Sequence, residues 1–222
     1  MRTDVRAFLV ASSGERAAHY VRQLIFDGEL RPGDRVPQDR IATDLGMSKI
    51  PVREALVALE REGWVTLEPY RGVFVIAVDE EVVRDQFQLF ALLFGFAARR
   101  CIEHDDAALL GELTRMYDAL AQSSDPAEID SIVYAFHWAI ADGARSARLT
   151  AVLRGMSAYF PGTFFSLSGA SDAIERREMG ALLDAMRERK ADAAVATYER
   201  LMYDLTDIAI KKLRDRGLFE EG

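Results

Sequence analysis

The chain has 222 residues, of which 50% are hydrophobic, and a formal net charge of −8. The sequence contains no run of about 18 apolar residues, so we expect no membrane-spanning helix, and its first 14 residues do not resemble a secretory signal. The single cysteine, Cys101, excludes an intrachain disulfide and any zinc site built from several cysteines. We therefore expect a cytoplasmic protein that does not bind polyanions indiscriminately.

The charge is distributed unevenly. The first 78 residues contain 11 Lys and Arg and 11 Asp and Glu, so the whole acidic excess lies in residues 79–222. Phosphate would be repelled by the acidic part, whereas the balanced part is able to present a local cationic face. This asymmetry predicts a DNA-reading domain joined to a domain with a different task.

The first part of the chain is predicted to be mostly helical. Residues 1–14 are expected to form a flexible arm, and residues 15–78 a small domain. Apolar residues recur at helical spacing in three stretches of this domain: about 15–28, 38–45 and 48–63. Gly46 ends the second helix, and Ser48 is predicted to cap the third. A helix-turn-helix is therefore expected.

A hairpin is predicted to follow the third helix. Residues 64–67 and 73–76 read as two short strands around a turn that contains Arg71 and Gly72. Gly72 would allow the backbone to approach a groove closely, and Arg71 would supply a cation. The hairpin is expected to be the wing of a winged helix-turn-helix domain.

The third helix has an apolar side and a cationic side. Lys49 and Arg53 lie four residues apart and therefore share the exposed face near the helix start. The apolar residues fall at helical spacing on the other side: Val52, Ala55, Leu56 and Leu59. A buried stripe with Lys or Arg at the N-terminal end is typical of a recognition helix that enters the major groove of DNA.

The segment from Tyr20 to Val78 resembles the winged-helix domain of the GntR family of bacterial transcription regulators. The matching residues are Gly28-Glu29-Leu30-Arg31-Pro32-Gly33, Ile41-Ala42, Leu45-Gly46-Met47-Ser48, Pro51-Val52-Arg53-Glu54-Ala55-Leu56, Leu59, Glu62-Gly63 and Arg71-Gly72. In this family the start of the third helix contacts bases and phosphates, and the wing enters the minor groove. The resemblance therefore implicates six DNA-binding residues: Arg40, Ser48, Lys49, Arg53, Arg71 and Gly72.

Two positions depart from the family pattern. Lys49 replaces the commoner arginine, which turns a bidentate contact with guanine into a single-point contact. Asp39 stands where many relatives carry a DNA-contacting arginine, and its carboxylate would repel phosphate. We expect a modified sequence preference or affinity.

Residues 79–222 are predicted to form an all-helical bundle, because helical runs are separated by short breaks. The runs are Glu80–Glu103, Asp106–Gln122, Ala127–Gly143, Ala147–Tyr159, Asp172–Arg189 and Ala191–Leu213. This part resembles the FCD effector domain of the FadR subfamily. The resemblance is carried by Phe136-His137-Trp138-Ala139-Ile140, Leu182-Leu183-Asp184-Ala185-Met186-Arg187 and Ala193-Ala194.

Many FCD domains bind a divalent metal through an aspartate and three histidines. At the corresponding positions this chain keeps His137, but Val133, Met179 and Leu201 replace the other ligands. Since these three side chains offer no hard ligand, neither a metal site nor another cofactor is predicted. Phe90 and Phe94 replace the arginine and glutamate that often face the ligand cavity.

These substitutions leave alternatives open. The six side chains Phe90, Phe94, Val133, His137, Met179 and Leu201 would either line a pocket for an apolar or fatty-acyl-like effector or fill the space as a packed core. A residual metal or carboxylate site is a third alternative.

The sequence thus predicts a homodimeric transcription regulator, a repressor, that binds double-stranded operator DNA under the control of a small effector. The alternative is a constitutive dimeric repressor whose second domain only dimerises. We predict no catalytic residues and no enzyme, because there is no phosphate loop and no Gly-rich dinucleotide turn.

Overall fold

The computed structural model describes residues 12–77, 79–157 and 171–219 of the chain. Contacts divide it into two compact units, one of residues 81–211 and the other of the residues on either side of them. Within the described ranges, no helix is both long and apolar enough to cross a membrane. The predicted fold class is confirmed: a winged helix-turn-helix with a two-stranded wing precedes an all-helical region.

The first unit begins with three helices and a hairpin: α1 (Ser13–Phe26), α2 (Gln38–Asp44), α3 (Lys49–Arg61), β1 (Val65–Glu68) and β2 (Gly72–Val75). A capping box starts α1, because Ser12 Oγ accepts a hydrogen bond from the Glu15 amide and Glu15 accepts one from the Ser12 amide. Antiparallel pairing joins Val65 to Val75 and Glu68 to Gly72.

The core of this unit lies between α1 and α3. The apolar residues that repeat at helical spacing on these helices are buried: Ala17, Ala18, Val21, Leu24 and Ile25 on α1, and Val52, Ala55, Leu56 and Leu59 on α3. The buried Arg22 guanidinium donates three hydrogen bonds to the Glu62 carboxylate, at 2.6, 2.8 and 3.0 Å. Since Glu62 is the C-cap residue of α3, this pair ties the end of α3 to α1.

The hairpin has an additional neighbour that sequence patterns did not predict. The Val36 amide donates to Val73 O at 2.8 Å, and the Val75 amide donates to Asp34 O at 2.9 Å. Arg35 forms an isolated antiparallel bridge with Phe74. The segment before α2 therefore lines the edge of the wing.

The last described residues belong to the first unit, whereas the predicted domains grouped residues 79–222 together. There the Arg216 guanidinium lies 4.9 Å from the centroid of the Phe26 ring and donates a hydrogen bond to Phe26 O. This carbonyl is one of the last of α1, where helical carbonyls lack helical partners. Leu218 beside it is fully buried.

The remaining helices are α4 (Glu80–His104), α5 (Ala107–Gln122), α6 (Pro126–Gly143), α7 (Ala147–Ser157), α8 (Asp172–Arg187) and α9 (Ala191–Asp215). Each lies close to a predicted helical run, although the predicted end of α7 at Tyr159 lies outside the described residues. Asp106 and Asp125 cap α5 and α6 with their side chains. Gly95 allows α4 to approach α9 closely, since a Cβ there would lie 3.3 Å from Val195.

Candidate nucleic-acid interface and buried polar cluster

The start of α3 is exposed, as a recognition helix requires. Gly46 adopts a φ of +61° in the turn before it, a conformation that glycine adopts without strain. Ser48 occupies the N-cap position, but its side chain makes no capping hydrogen bond, so the predicted capping role is wrong. Its exposed hydroxyl is not engaged by the helix it precedes.

Lys49 is the first residue of α3 and is held by an acid from α2. Its Nζ lies 2.7 Å from Asp39 Oδ1, and both side chains are exposed. The two departures from the family pattern thus face each other across the helix-turn-helix, and each neutralises the charge of the other.

A groove of about 630 Å³ runs between α3 and the wing. Arg53 and Arg35 both line it, and neither has an acidic partner among the residues that the structure describes. Arg53 is a predicted contact, whereas sequence patterns did not predict Arg35. The backbone pairing that places Arg35 beside β2 is a long-range interaction without a local sequence signal.

The wing tip presents Tyr70, Arg71 and Gly72. Tyr70 is fully exposed and adopts a positive φ of 63°. Arg71 is mostly exposed, forms an ion pair with Glu68 and lies 5.5 Å from the centroid of the Phe74 ring. Gly72 has a φ of +124°, and a Cβ there would lie 2.6 Å from Arg35 Nε. A side chain there would displace the Arg35 guanidinium, and the positive φ by itself favours glycine.

Arg40 is less available than Arg53. Its guanidinium lies 3.4 Å from Glu29 Oε2 and 3.4 Å from Asp44 Oδ2. Asp44 also accepts a hydrogen bond from the Tyr20 hydroxyl. The four predicted cationic contacts therefore differ: Arg53 has no acidic partner among the described residues, whereas acids already hold Arg40, Lys49 and Arg71.

In the second unit, the six side chains predicted to surround a pocket are all buried, with at most 2% of each exposed: Phe90, Phe94, Val133, His137, Met179 and Leu201. Phe94 is the neighbour of His137, with ring centroids 6.1 Å apart. Five of the six side chains are apolar, and His137 is the polar exception.

His137 belongs to a buried polar cluster. Its Nδ1 lies 2.9 Å from the Tyr198 hydroxyl and its Nε2 lies 3.1 Å from Glu175 Oε2. Each ring nitrogen of His137 therefore has a protein partner within hydrogen-bond distance. The sequence analysis identified neither Tyr198 nor Glu175 as a partner of His137. The signal was present, since Glu175 lies four residues before Met179 and therefore on the same helix face.

Burial shifts the pKa values of the two partners of His137. Both partners of His137 are almost fully buried, and burial raises the pKa of the Glu175 carboxyl and of the Tyr198 hydroxyl. Glu175 Oε1 has no hydrogen-bond partner within the described residues. A buried polar atom without a partner is costly, so this oxygen would gain from a bound donor.

The donor set does not fit a divalent metal. His137 and Glu175 are two ligands, whereas protein metal sites of this kind use three or four. Both nitrogens of His137 already face protein groups, and Val133, Met179 and Leu201 add only apolar atoms or a thioether.

The winged helix-turn-helix and the helical region that follows it agree with comparisons with known proteins. Residues 13–75 match the sequence model of bacterial regulatory proteins of the gntR family, and residues 85–204 match the FCD domain. The chain belongs to the gntR family, in the group that carries an FCD domain.

Individual relatives are transcription regulators. An uncharacterised HTH-type transcriptional regulator of Mycobacterium tuberculosis is 30% identical over 151 residues, which cover 68% of this chain and 62% of the relative. The gluconate operon transcriptional repressor of Bacillus subtilis is 30% identical over 113 residues, which cover 51% of this chain and 46% of that protein. The aligned region thus spans about three fifths or less of these curated relatives.

Among solved structures, Escherichia coli McbR has a TM-score of 0.67 at 20% identity, covering 91% of this chain and 99% of that one. This likeness supports the fold. The relatives' descriptions agree with the prediction of a regulator and not an enzyme.

The raised pKa of Glu175 predicts a pH-dependent contribution to stability. Burial, the main cause, makes the folded protein bind a proton that an unfolded carboxyl with a pKa of 4.5 has released. The unfolding free energy of the wild type should therefore rise relative to that of Glu175→Gln as the pH falls from neutral towards 4.5, the ordinary pKa of this carboxyl, by at most about 1.4 kcal/mol per pH unit.

Thermal unfolding of the two proteins across that pH range measures the difference. Glu112→Gln, at an exposed position on α5, is the matched control and should follow the wild type. A constant difference between wild type and Glu175→Gln at all pH values would contradict the prediction.

Proposed function

We propose that this chain is a transcription regulator that represses its target by binding operator DNA as a homodimer in the cytoplasm. The observation that carries the proposal is the cationic groove beside α3, where Arg53 and Arg35 lack acidic partners among the described residues. The repressor assignment follows the description of the Bacillus subtilis relative.

In this mechanism α3 enters the major groove and the wing follows the neighbouring minor groove. Arg53 offers a planar fork that is able to bind guanine O6 and N7 or a phosphate. Arg71 and Gly72 bring a cation and a bare backbone to the minor groove, and Arg35 adds charge where the two surfaces meet. Arg40 first exchanges its acidic partners, Glu29 and Asp44, for DNA. The exposed Ser48 hydroxyl is able to bind phosphate.

Replacing Arg53 by alanine should weaken operator binding by about tenfold or more, because one arginine contact with DNA is worth about 1–3 kcal/mol. The operator is first selected from a random duplex library with the wild-type chain, and affinity is then measured by fluorescence anisotropy.

Arg61→Ala is the matched control. Arg61 is an exposed arginine in the last turn of the same helix, so its loss changes the net charge equally. Equal weakening by both variants, or no weakening by Arg53→Ala, would remove the assignment of α3 as the recognition helix.

The homodimer is supported by an exposed apolar stripe on α4. Val82, Leu89 and Phe96 are spaced seven residues apart, and Leu92 lies between the last two. These side chains are between 43% and 64% exposed, and Tyr203 on α9 is 70% exposed. Apolar residues repeating every seven positions favour packing against a second helix with the same pattern. A second copy of this chain supplies one, and two copies would present two recognition helices to a symmetric operator.

Leu92→Glu should convert the dimer to a monomer, because it places a charge in the middle of this apolar stripe. Light scattering after size-exclusion chromatography measures the mass. Val152→Glu, at an exposed position on α7, makes the same change elsewhere in the second unit and should remain dimeric. A dimeric Leu92→Glu variant would show that the dimer forms through another surface.

The effector is proposed to bind beside His137. The five apolar residues of the predicted set supply apolar surroundings, and Glu175 Oε1, which has no partner among the described residues, supplies one buried acceptor. An effector with an apolar body and one hydrogen-bond donor, such as an aliphatic alcohol or amine, matches both features better than a purely apolar molecule. Binding would favour one conformation of the dimer and so change the DNA-competent population.

Octanol or octylamine should therefore raise the thermal midpoint of the wild-type protein and release operator DNA. Octanoate should do neither, because its carboxylate brings no donor to Glu175. Glu175→Leu should lose the response, because leucine offers no hydrogen-bond acceptor at this position. If the protein responds to none of the three compounds, the result would favour the constitutive repressor, in which the helical domain only dimerises.

A further inference from the structure

The ion pair between Asp39 and Lys49 lies on the face that the proposed function directs towards DNA. Asp39 is in the first turn of α2 and Lys49 is the first residue of α3, with 2.7 Å between Asp39 Oδ1 and Lys49 Nζ. The side chains are 77% and 55% exposed. The pair therefore spans the two helices of the helix-turn-helix and remains open to a large partner.

Stability does not explain this arrangement. Exposed ion pairs contribute little to folding because water screens them. The carboxylate also opposes DNA binding of any sequence, since it adds repulsion where phosphates approach and holds a cation that would otherwise meet them. Such a group is useful where it rejects incorrect partners more strongly than the correct one.

The major groove offers one edge that complements the pair. A G·C base pair presents the guanine acceptors N7 and O6 beside the cytosine N4 amine, which is a donor. Lys49 carries only donors and Asp39 only acceptors. An ammonium on guanine O6 and a carboxylate on cytosine N4 satisfy all four groups while the two side chains remain together.

We propose that Asp39 and Lys49 act as one unit that reads a single G·C base pair in each operator half-site, with Asp39 as a specificity-determining residue. This inference rests on the proposed DNA-binding function. C·G and A·T pairs present a donor to Lys49 and an acceptor to Asp39, so both are rejected. A T·A pair also presents an acceptor to Lys49 and a donor to Asp39, but it has the thymine methyl group in place of guanine N7. Its affinity should therefore lie between that of the G·C pair and those of the two rejected pairs.

The experiment compares full-length wild type, Asp39→Ala and Lys49→Ala. Operator half-sites are selected from a random duplex library with the wild type, and affinity is then measured for every single base-pair substitution. The wild type should prefer G·C at one position by about tenfold over C·G and A·T. Asp39→Ala should bind unrelated DNA more tightly and lose most of that preference. Lys49→Ala should lose the preference at the same position.

Glu112→Gln is the control for net charge, because it removes one acidic charge in the other unit and should keep the wild-type preference. Circular dichroism establishes that each variant is folded. The proposal is overturned if Asp39→Ala keeps every base preference, or if the two variants change different positions. Failure of the wild type to enrich any sequence would instead contradict the proposed DNA-binding function itself.

Discussion

The burial of one side of α3 against α1 determines the rest of the first unit. Val52, Ala55, Leu56 and Leu59 are removed from water on this side, and the free energy of that burial holds the helix in one rotational setting. Since side chains on a helix keep fixed angular positions, Lys49 and Arg53 must then point to solvent. The Arg22–Glu62 pair adds a directional link at the far end of α3. The exposed cationic face is thus a consequence of the core.

The exposed charges of this unit are balanced and not simply basic. Acids hold Lys49, Arg40 and Arg71 in the free protein, while Arg53 has no such partner in the described part of the chain. When one of these cations leaves its carboxylate for a DNA phosphate, little free energy is gained, because water screens both ion pairs. A surface of this kind would have modest affinity for arbitrary DNA and would depend on correctly placed bases for tight binding.

The second unit places a polar cluster inside an apolar bundle. Tyr198, His137 and Glu175 come from three different helices and meet within hydrogen-bond distance. Burial raises the cost of leaving any of their polar atoms without a partner, so the cluster fixes how these helices pack. The same burial raises the pKa of Glu175, which links the packing of this region to proton binding.

The sequence by itself determined the elements and their faces. Helical periodicity and turn residues act over three to seven positions, so the helices, the wing and the exposed setting of Arg53 were predictable. The tertiary structure decided which side chains meet across longer separations. Asp39 with Lys49, Arg35 with Gly72, and His137 with Glu175 are partners that no local pattern pairs. Their meeting depends on how separate elements pack, and that depends on the shape complementarity of whole buried surfaces.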